Sequence, residues 1–276
     1  MNERRRSLIT LHPLASYFLL SFLISWGFAI PLVLSALGFS APVSPYLHYL
    51  VLSGPILSAL ILTALTRGTP GLTALLASLT NFRMGARWLL IAVLSPLLVL
   101  ALALLLIMLL GAPIPDLAML GRSSSLPSLA ALPTSIVMIL AALQEEVGWR
   151  GFALPRLQAS RSAFSSTILL SVVWFIWHLP MFWYRPTFAS PTPFMFIGVF
   201  LGLAAGAIIL TWLFNSSRGS LLTVTLWHGI WSTIAASDLG DLVPAVMSML
   251  FMVWAIAIVL IFKRPDLSRS PRATAL

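Results

Sequence analysis

Two adjacent carboxylates, Glu145 and Glu146, follow the apolar run 136–143 in a chain that contains only 7 acidic residues. No other acidic side chain falls on a segment long and apolar enough to lie within lipid. A carboxylate at that depth costs several kcal/mol unless a partner or water compensates it. A surface ion pair at a helix end would be the expectation in a soluble protein. In this apolar setting we expect the pair to be functional.

A cation follows the carboxylates at helical spacing. If the segment is a helix, Glu146 and Arg150 are four residues apart and share a face, whereas Glu145 points about 100° away. Arg150 is therefore predicted to neutralise Glu146 and to anchor the helix. Glu145 has no cation on its own helix, which makes it the candidate general base.

Two histidines, His178 and His228, lie within other apolar segments. Each alone is as readily a packing residue as a functional one, but together with the glutamates they could carry out hydrolysis. If their spans begin near Thr167 and Ser220, the histidines lie about 16 and 12 Å from the cytoplasmic boundary at 1.5 Å per residue. Glu145 lies about 12 Å from the same boundary in a hydrocarbon core of about 30 Å. We therefore expect the three side chains to meet.

The composition indicates the environment that must position these groups. The 276 residues are 59% hydrophobic and 8% charged, whereas soluble domains carry about 25% charged residues. The chain is therefore predicted to be an integral, multi-pass protein of the cell membrane. It contains no cysteine, which excludes a catalytic cysteine, thiolate metal ligands and disulfides. The basic residues, which give a net charge of +9, flank apolar runs in short clusters, a pattern that orients membrane proteins rather than one that binds nucleic acid.

The predicted fold is an all-α, polytopic bundle of about eight transmembrane helices, each close to the roughly 20 residues that cross a bilayer. The spans are expected at about 14–37, 46–66, 88–111, 132–152, 165–184, 193–214, 220–237 and 243–262. In the sixth span, Gly198, Gly202 and Gly206 recur every four residues, which favours close packing against another helix of the same monomer.

The distribution of basic residues predicts the orientation. With a cytoplasmic N-terminus, Arg122 and Arg185 face outside and the other 14 of the 16 basic residues face the cytoplasm, a strong positive-inside bias that favours two cytoplasmic termini. We divide the chain into spans 1–3 with an outer loop (1–128), a catalytic helix bundle (129–262) and a proline-containing cytoplasmic tail (263–276) predicted to be disordered.

Three segments resemble the motifs of the CPBP intramembrane proteases, a family that includes type II CAAX prenyl endopeptidases and bacterial abortive-infection and bacteriocin-immunity relatives. The family motifs read EExxxR, FxxxH, and HxxxN or HxxxD. The corresponding segments here are Glu145–Leu157 (EEVGWRGFALPRL), Trp174–Pro180 (WFIWHLP) and His228–Ser232 (HGIWS). The resemblance covers about 132–237; the preceding residues resemble the family only in being apolar spans.

The resemblance implies hydrolysis of a peptide bond within the membrane, in a membrane-anchored or lipidated substrate. It assigns the catalytic positions to Glu145, Glu146, Arg150, His178 and His228.

Two positions depart from the family pattern. Trp174 takes the place of the phenylalanine, an exchange of one aromatic for another that we expect to have little effect. Ser232 takes the place of the oxyanion-stabilising Asn or Asp, and its hydroxyl can donate a hydrogen bond but reaches less far.

Two mechanisms fit these residues. In one, Glu145, His178 and His228 hold a zinc ion, whose bound water has its pKa lowered toward about 7. In the other, which needs no metal, Glu145 deprotonates a water held by His178 while His228 and Ser232 stabilise the oxyanion. The sequence does not choose between them.

Two other functions remain open from the sequence. A non-catalytic immunity or scaffold protein of the same family would bind its partner without turnover, a possibility that Ser232 favours. A proton-coupled transporter could use the buried carboxylates and histidines as a relay.

Overall fold

The computed structural model describes residues 11–81, 85–185, 192–262 and 265–274. Within these ranges the regular secondary structure is entirely helical, which confirms the predicted all-α class. The α-helices are α1 (Pro13–Ala36), α2 (His48–Val51), α3 (Ser53–Ala77), α4 (Ala86–Leu109), α5 (Ala131–Gly148), α6 (Leu154–Gln158), α7 (Ala163–His178), α8 (Met181–Tyr184), α9 (Pro193–Ser216), α10 (Leu221–Ala236) and α11 (Leu242–Ile261).

The predicted bundle of about eight spans is confirmed. In the described part of the chain, 7 helical runs are long and apolar enough to cross a membrane, and α10 is a shorter apolar helix in the place of the seventh predicted span. The orientation and the three-part division of the chain stay predictions. Six of the basic residues counted as cytoplasmic lie outside the described residues: Arg4, Arg5, Arg6, Arg83, Lys263 and Arg264.

Local sequence signals set the helix ends. Pro13 occupies the first turn of α1, where its missing N–H is not needed. At the start of α9 the hydroxyl of Thr192 accepts a hydrogen bond from the Met195 amide, and such a bond satisfies one of the free N–H groups of a first helical turn. Within α3, Gly68 has a φ of 62° and interrupts the helix near the end of the predicted second span.

Helix α5, which carries both glutamates, lies inside the bundle and packs mainly against α3 and α10. Close approach on both sides depends on glycines. A Cβ on Gly229 of α10 would lie 2.7 Å from the Cα of Ile139. A Cβ on Gly148 would lie 2.5 Å from the Cβ of Pro55 in α3. The carboxylates are therefore held between two helices that touch their backbone closely.

The predicted disorder of the C-terminal tail is wrong for residues 265–274. Leu267 and Ser268 are buried, and the carbonyl of Pro265 accepts a hydrogen bond of 2.5 Å from the amide of Ala163. The tail stays ordered because the ends of α6 and α9 offer it buried polar partners, which a composition-based argument does not take into account.

The predicted packing of the glycine stripe is also wrong. A Cβ on Gly198, Gly202 or Gly206 would have nothing within 4 Å. Helix α9 is apolar on every side, so the spacing of three small residues alone does not determine which face meets a neighbouring helix.

Candidate active site

The segment after the glutamates changes its helical geometry. Helix α5 continues into a π-helical turn, Trp149–Ala153, in which the N–H of Leu154 bonds the carbonyl of Trp149 five residues earlier. Turns of this kind occur frequently at functional sites. The turn contains Arg150, so the predicted cation is positioned by an irregular piece of helix.

Glu146 is the central acceptor of a buried charge cluster. Its Oε1 lies 2.8 Å from Nη1 of Arg150 and 2.8 Å from Nδ1 of His228. Glu146 and Arg150 are completely buried and His228 is 8% exposed. The predicted ion pair with Arg150 is confirmed, and the bond to His228 adds a second donor. The three side chains form one unit that links α5 to α10.

Glu145 has a different environment, as its position on the helix predicts. Its Oε2 accepts a hydrogen bond of 2.8 Å from the indole Nε1–H of Trp174, and its side chain keeps a small exposed fraction of 6%. Its other oxygen accepts no hydrogen bond within the described chain, yet it is not among the fully enclosed polar atoms there. Glu145 is therefore the carboxylate that a small reactant could reach.

Trp174 connects all of these groups. Besides donating to Glu145, its ring lies 4.8 Å from the Arg150 guanidinium carbon, and 5.6 and 5.7 Å from the rings of His178 and His228. Phenylalanine has no N–H and could not make the bond to Glu145. The expectation that this exchange of aromatic residues has little effect is therefore wrong as far as the structure of the site is concerned.

The partners of the two histidines define their tautomers. Nδ1 of His178 lies 2.7 Å from the carbonyl oxygen of Trp174, which can only accept a hydrogen bond, so Nδ1 carries the proton. Nδ1 of His228 faces the Glu146 carboxylate and also carries a proton. In both rings the hydrogen bonds fix Nδ1 and leave Nε2 for a reactant. Sequence spacing alone does not predict this shared arrangement.

Ser232 lies one helical turn after His228 on α10 and therefore shares its face. Its side chain is half-buried, and its hydroxyl has no hydrogen-bond partner among the residues the structure describes. The hydroxyl is free to donate to a bound group.

The metal prediction rests on Glu145, His178 and His228. Histidines anchored through Nδ1 by a carbonyl or carboxylate are common around metal ions, so the donor types suit zinc. Across the described ranges, however, no group of three or more His, Asp or Glu side chains is arranged to hold a metal ion. The three donors do not converge, and a zinc site stays a prediction.

Tyr17 of α1 is a neighbour of the site that the motif residues did not reveal. It is completely buried, its ring stacks on Phe152 at 4.8 Å, and it meets the Trp149 ring edge-on at 5.7 Å. A Cβ on Gly148 would lie 2.4 Å from its hydroxyl oxygen. A tyrosine in a first span gives no local signal of such a contact, because α1 is remote from the motifs in sequence.

Comparison with known proteins finds similarity over the segment that holds these side chains. Residues 127–234 match the family model described as Type II CAAX prenyl endopeptidase Rce1-like. Over 101 residues the chain is 31% identical to "CAAX prenyl protease 2" of Methanococcus maripaludis (strain S2), a match covering 35% of this chain and 37% of that protein. The resemblance to the CPBP proteases is therefore confirmed, over little more than a third of the relative's length.

Proposed function

We propose that this membrane protein, which contains a type II CAAX prenyl endopeptidase-like region, is an endopeptidase of the cell membrane that hydrolyses a peptide bond in a membrane-anchored or lipidated substrate. The observation that carries the proposal is that two adjacent carboxylates have different partners and different access. Glu146 is tied to Arg150 and His228, while Glu145 keeps an accessible oxygen beside two histidines whose Nε2 atoms are free.

The sum of the charges in the buried cluster supports different roles for the two carboxylates. With Glu145 and Glu146 ionised and Arg150 protonated, the buried cluster carries one uncompensated negative charge. Protonation of His228 brings the sum to zero, and the ionised Glu146 carboxylate 2.8 Å from its Nδ1 stabilises the resulting imidazolium. His178 has only a carbonyl at its Nδ1 and stays neutral. The two histidines therefore have different roles, one as an acceptor and one as a charged donor.

The first chemical step is the activation of water. The neutral Nε2 of His178 accepts one hydrogen of the water, and the free oxygen of Glu145 accepts the other. As the water oxygen attacks the scissile carbonyl carbon, Glu145 takes the proton, and the carbonyl π electrons move onto oxygen. Trp174 holds the second carboxylate oxygen in place. General-base help of this kind contributes about 10²- to 10⁴-fold to the rate.

The second step stabilises and collapses the tetrahedral intermediate. The imidazolium of His228 donates its Nε2–H to the oxyanion, and the unpaired hydroxyl of Ser232 is a second donor from the same face of α10. When the C–N bond breaks, Glu145 returns its proton to the leaving nitrogen, giving a new carboxyl terminus and a free amine. The net charge of the site does not change, which suits a buried reaction centre.

The substrate class follows from the surroundings. Two of the helices that build the site, α5 and α7, belong to runs long and apolar enough to span a bilayer, and α10 is a shorter apolar helix packed between such runs, so a substrate must itself reach into the membrane, through an attached lipid or an apolar segment. Prenylation of the substrate is one way of meeting this need, in keeping with the name of the relative. The lipid bilayer is the second partner, and a nucleic-acid partner is not expected.

A zinc-dependent mechanism is the alternative form of the proposal, because the donor types suit zinc although the three side chains do not converge among the described residues. Glu145, His178 and His228 would hold the ion, which would act as a Lewis acid and lower the pKa of its bound water. Metal analysis of the purified protein, with His178→Ala as control, decides this. About one zinc per chain that is lost in the variant would favour the metal mechanism.

The activity itself is tested with protein in lipid nanodiscs and peptides that carry a C-terminal farnesyl group or none. In H₂¹⁸O, mass spectrometry should detect an internal cut with one ¹⁸O in the new carboxyl terminus. Glu145→Gln should abolish the cut.

A non-catalytic scaffold is the second candidate, because Ser232 reaches less far than the family's Asn or Asp. Peptides that bind without being cut by wild type or by Ser232→Asn would favour it. Proton flux in liposomes without cleavage would favour a transporter.

A further inference from the structure

The amides of Gln158 and Asn215 form a pair at the end of the bundle predicted to face the cytoplasm. Both side chains are completely buried. Gln158 Nε2 donates to Asn215 Oδ1 at 3.1 Å, and Asn215 Nδ2 donates to Gln158 Oε1 at 2.8 Å. Each amide group has two N–H donors and an oxygen with two lone pairs. The reciprocal pair therefore leaves one N–H on each residue, and acceptor capacity on the oxygens, for a third partner.

The third partner is the backbone of the chain's own C-terminal tail. The spare N–H of Gln158 donates to the carbonyl of Ala273 at 2.8 Å, and the amide N–H of the same Ala273 donates to Asn215 Oδ1 at 3.1 Å. The spare N–H of Asn215 donates to the carbonyl of Asp266 at 2.8 Å. Contact with both the N–H and the C=O of one residue is how a β-strand binds its neighbour. The amide pair thus binds backbone groups of a peptide rather than a particular side chain.

The tail is held in a bent conformation by bonds within itself and by contacts with the bundle. Leu267 has a φ of +49°, in the left-handed region that side chains other than glycine seldom adopt. Leu267 and Ser268 nevertheless lie buried against the bundle. Such a conformation persists only when its surroundings impose it. The contacts with the amide pair, together with the bonds between Ser268 and Ser270, therefore stabilise the bent tail.

A cavity lies between the tail and the π-helical turn that contains Arg150. Its volume is about 1230 Å³, larger than the roughly 300–1,000 Å³ of pockets that enclose drug-sized ligands. Tail residues from Arg269 to Thr274 line one side, and Gly151 and Pro155 line another. Gly151 follows Arg150 directly in the π-helical turn. A peptide lying where the tail lies would border this cavity and the turn that follows the catalytic helix.

We propose that Gln158 and Asn215 form a binding site for the backbone of a peptide segment, which residues 265–274 of the same chain occupy in cis. The peptide that replaces the tail is the cytoplasmic segment of a substrate, an identification that rests on the proposed function. Recognition through backbone groups suits a protease with several substrates, because any residue except proline provides both the N–H and the C=O. The tail competes with substrates at this site.

The concentration at which a free peptide should displace the tail can be predicted. A segment that is covalently joined to its own binding site by a short connection competes at an effective concentration on the order of millimolar. A free peptide of the tail sequence should therefore displace half of the tail at about millimolar concentration. In a chain whose tail binds more weakly, the same peptide should act at about tenfold lower concentration, which is the expected effect of removing one hydrogen bond to a buried group.

The test uses a thiol in this cysteine-free chain and does not depend on activity. The full-length Ser268→Cys protein in nanodiscs is treated with a maleimide, because position 268 is buried only while the tail is bound. The thiol should react far more slowly than that of Ser124→Cys in an exposed loop. Ala273→Pro, which removes the N–H that Asn215 accepts, should raise the rate at position 268 about tenfold, and Ala273→Gly, which keeps the N–H, should not.

Added peptide then tests binding in trans. A synthetic peptide of residues 265–276 should raise the labelling rate of Ser268→Cys, and a peptide with proline in place of Ala273 should not. Two results would overturn the proposal. One is equal labelling at positions 268 and 124. The other is that the peptide, at up to about 10 mM, has no effect in the protein with Ala273 or in the Ala273→Pro variant. A peptide effect in a protein that cuts no substrate would overturn only the proposed function.

Discussion

Replacing Glu146 by glutamine should destabilise the protein strongly, although the change removes no heavy-atom volume. Oε1 of Glu146 accepts hydrogen bonds of 2.8 Å from both Arg150 and His228, and the Glu146–Arg150 pair is fully buried. A glutamine keeps one acceptor oxygen but loses the charge, so the guanidinium stays in a low-dielectric site without a counter-ion. Breaking a buried pair in this way costs about 3–5 kcal/mol, a large part of the roughly 5–15 kcal/mol that stabilises a typical protein.

The measurement is thermal unfolding in detergent, followed by the fluorescence of tryptophans that surround the site. In soluble domains of 150–250 residues, 1 kcal/mol shifts Tm by about 2–4 °C, so Glu146→Gln should lower Tm by roughly 6–20 °C. The matched control is Glu145→Gln, in which the carboxamide oxygen can still accept the bond from Trp174 and no cation loses its partner. That variant should keep its Tm within about 3 °C and lose activity about 10²- to 10⁴-fold.

The opposite pattern would refute the reasoning. If Glu146→Gln melts like wild type but is inactive, while Glu145→Gln is unstable, then Glu146 is the base and Glu145 the anchor. If both variants are stable and active, the two carboxylates take no part in catalysis.

Three other expectations can be checked with single substitutions. Ser232→Asn should raise kcat with little change in KM, because the longer carboxamide reaches the oxyanion; a lower kcat would contradict this role. Gly229→Ala should destabilise by about 1–3 kcal/mol through overpacking against α5, whereas Gly202→Ala, with open space around it, should leave Tm almost unchanged. Impermeant thiol reagents should label Ser124→Cys from outside and Thr274→Cys only after the membrane is opened; the reverse would invert the predicted orientation.

The parts of the site that the sequence predicted are those set by helical repeat and helix depth. Glu146 and Arg150 are four residues apart on one helix, so their pairing needs no knowledge of the rest of the fold. The bond between His228 and Glu146 agrees with the depth counted from Ser220, which directly precedes α10, whereas α7 begins at Ala163 and not near Thr167, so the depth counted for His178 was too small. Span boundaries could be predicted because each stretch had to be apolar over nearly its whole length.

The parts that could not be predicted depend on how one helix is rotated against another. The bond from Trp174 to Glu145 joins residues 29 apart, and the bonds from Gln158 to Asn215 and the tail join residues 57 and 115 apart. Helices that are apolar on all sides give no periodic signal of which face is buried. For the same reason the glycine stripe of α9 was assigned to a packing face that it does not have.

The N-terminal half of the chain contributes to the site although the matched family segment begins only at residue 127. Tyr17 stacks on Phe152 within the same turn that contains Arg150, and Pro55 leaves no room for a side chain at position 148. These contacts pack the first two spans against the π-helical turn and the residue before it. Because Arg150 is completely buried, any movement of this turn would expose or unpair its charge. The first two spans are therefore part of the structure that keeps Arg150 beside Glu146 and leaves Glu145 as the free carboxylate.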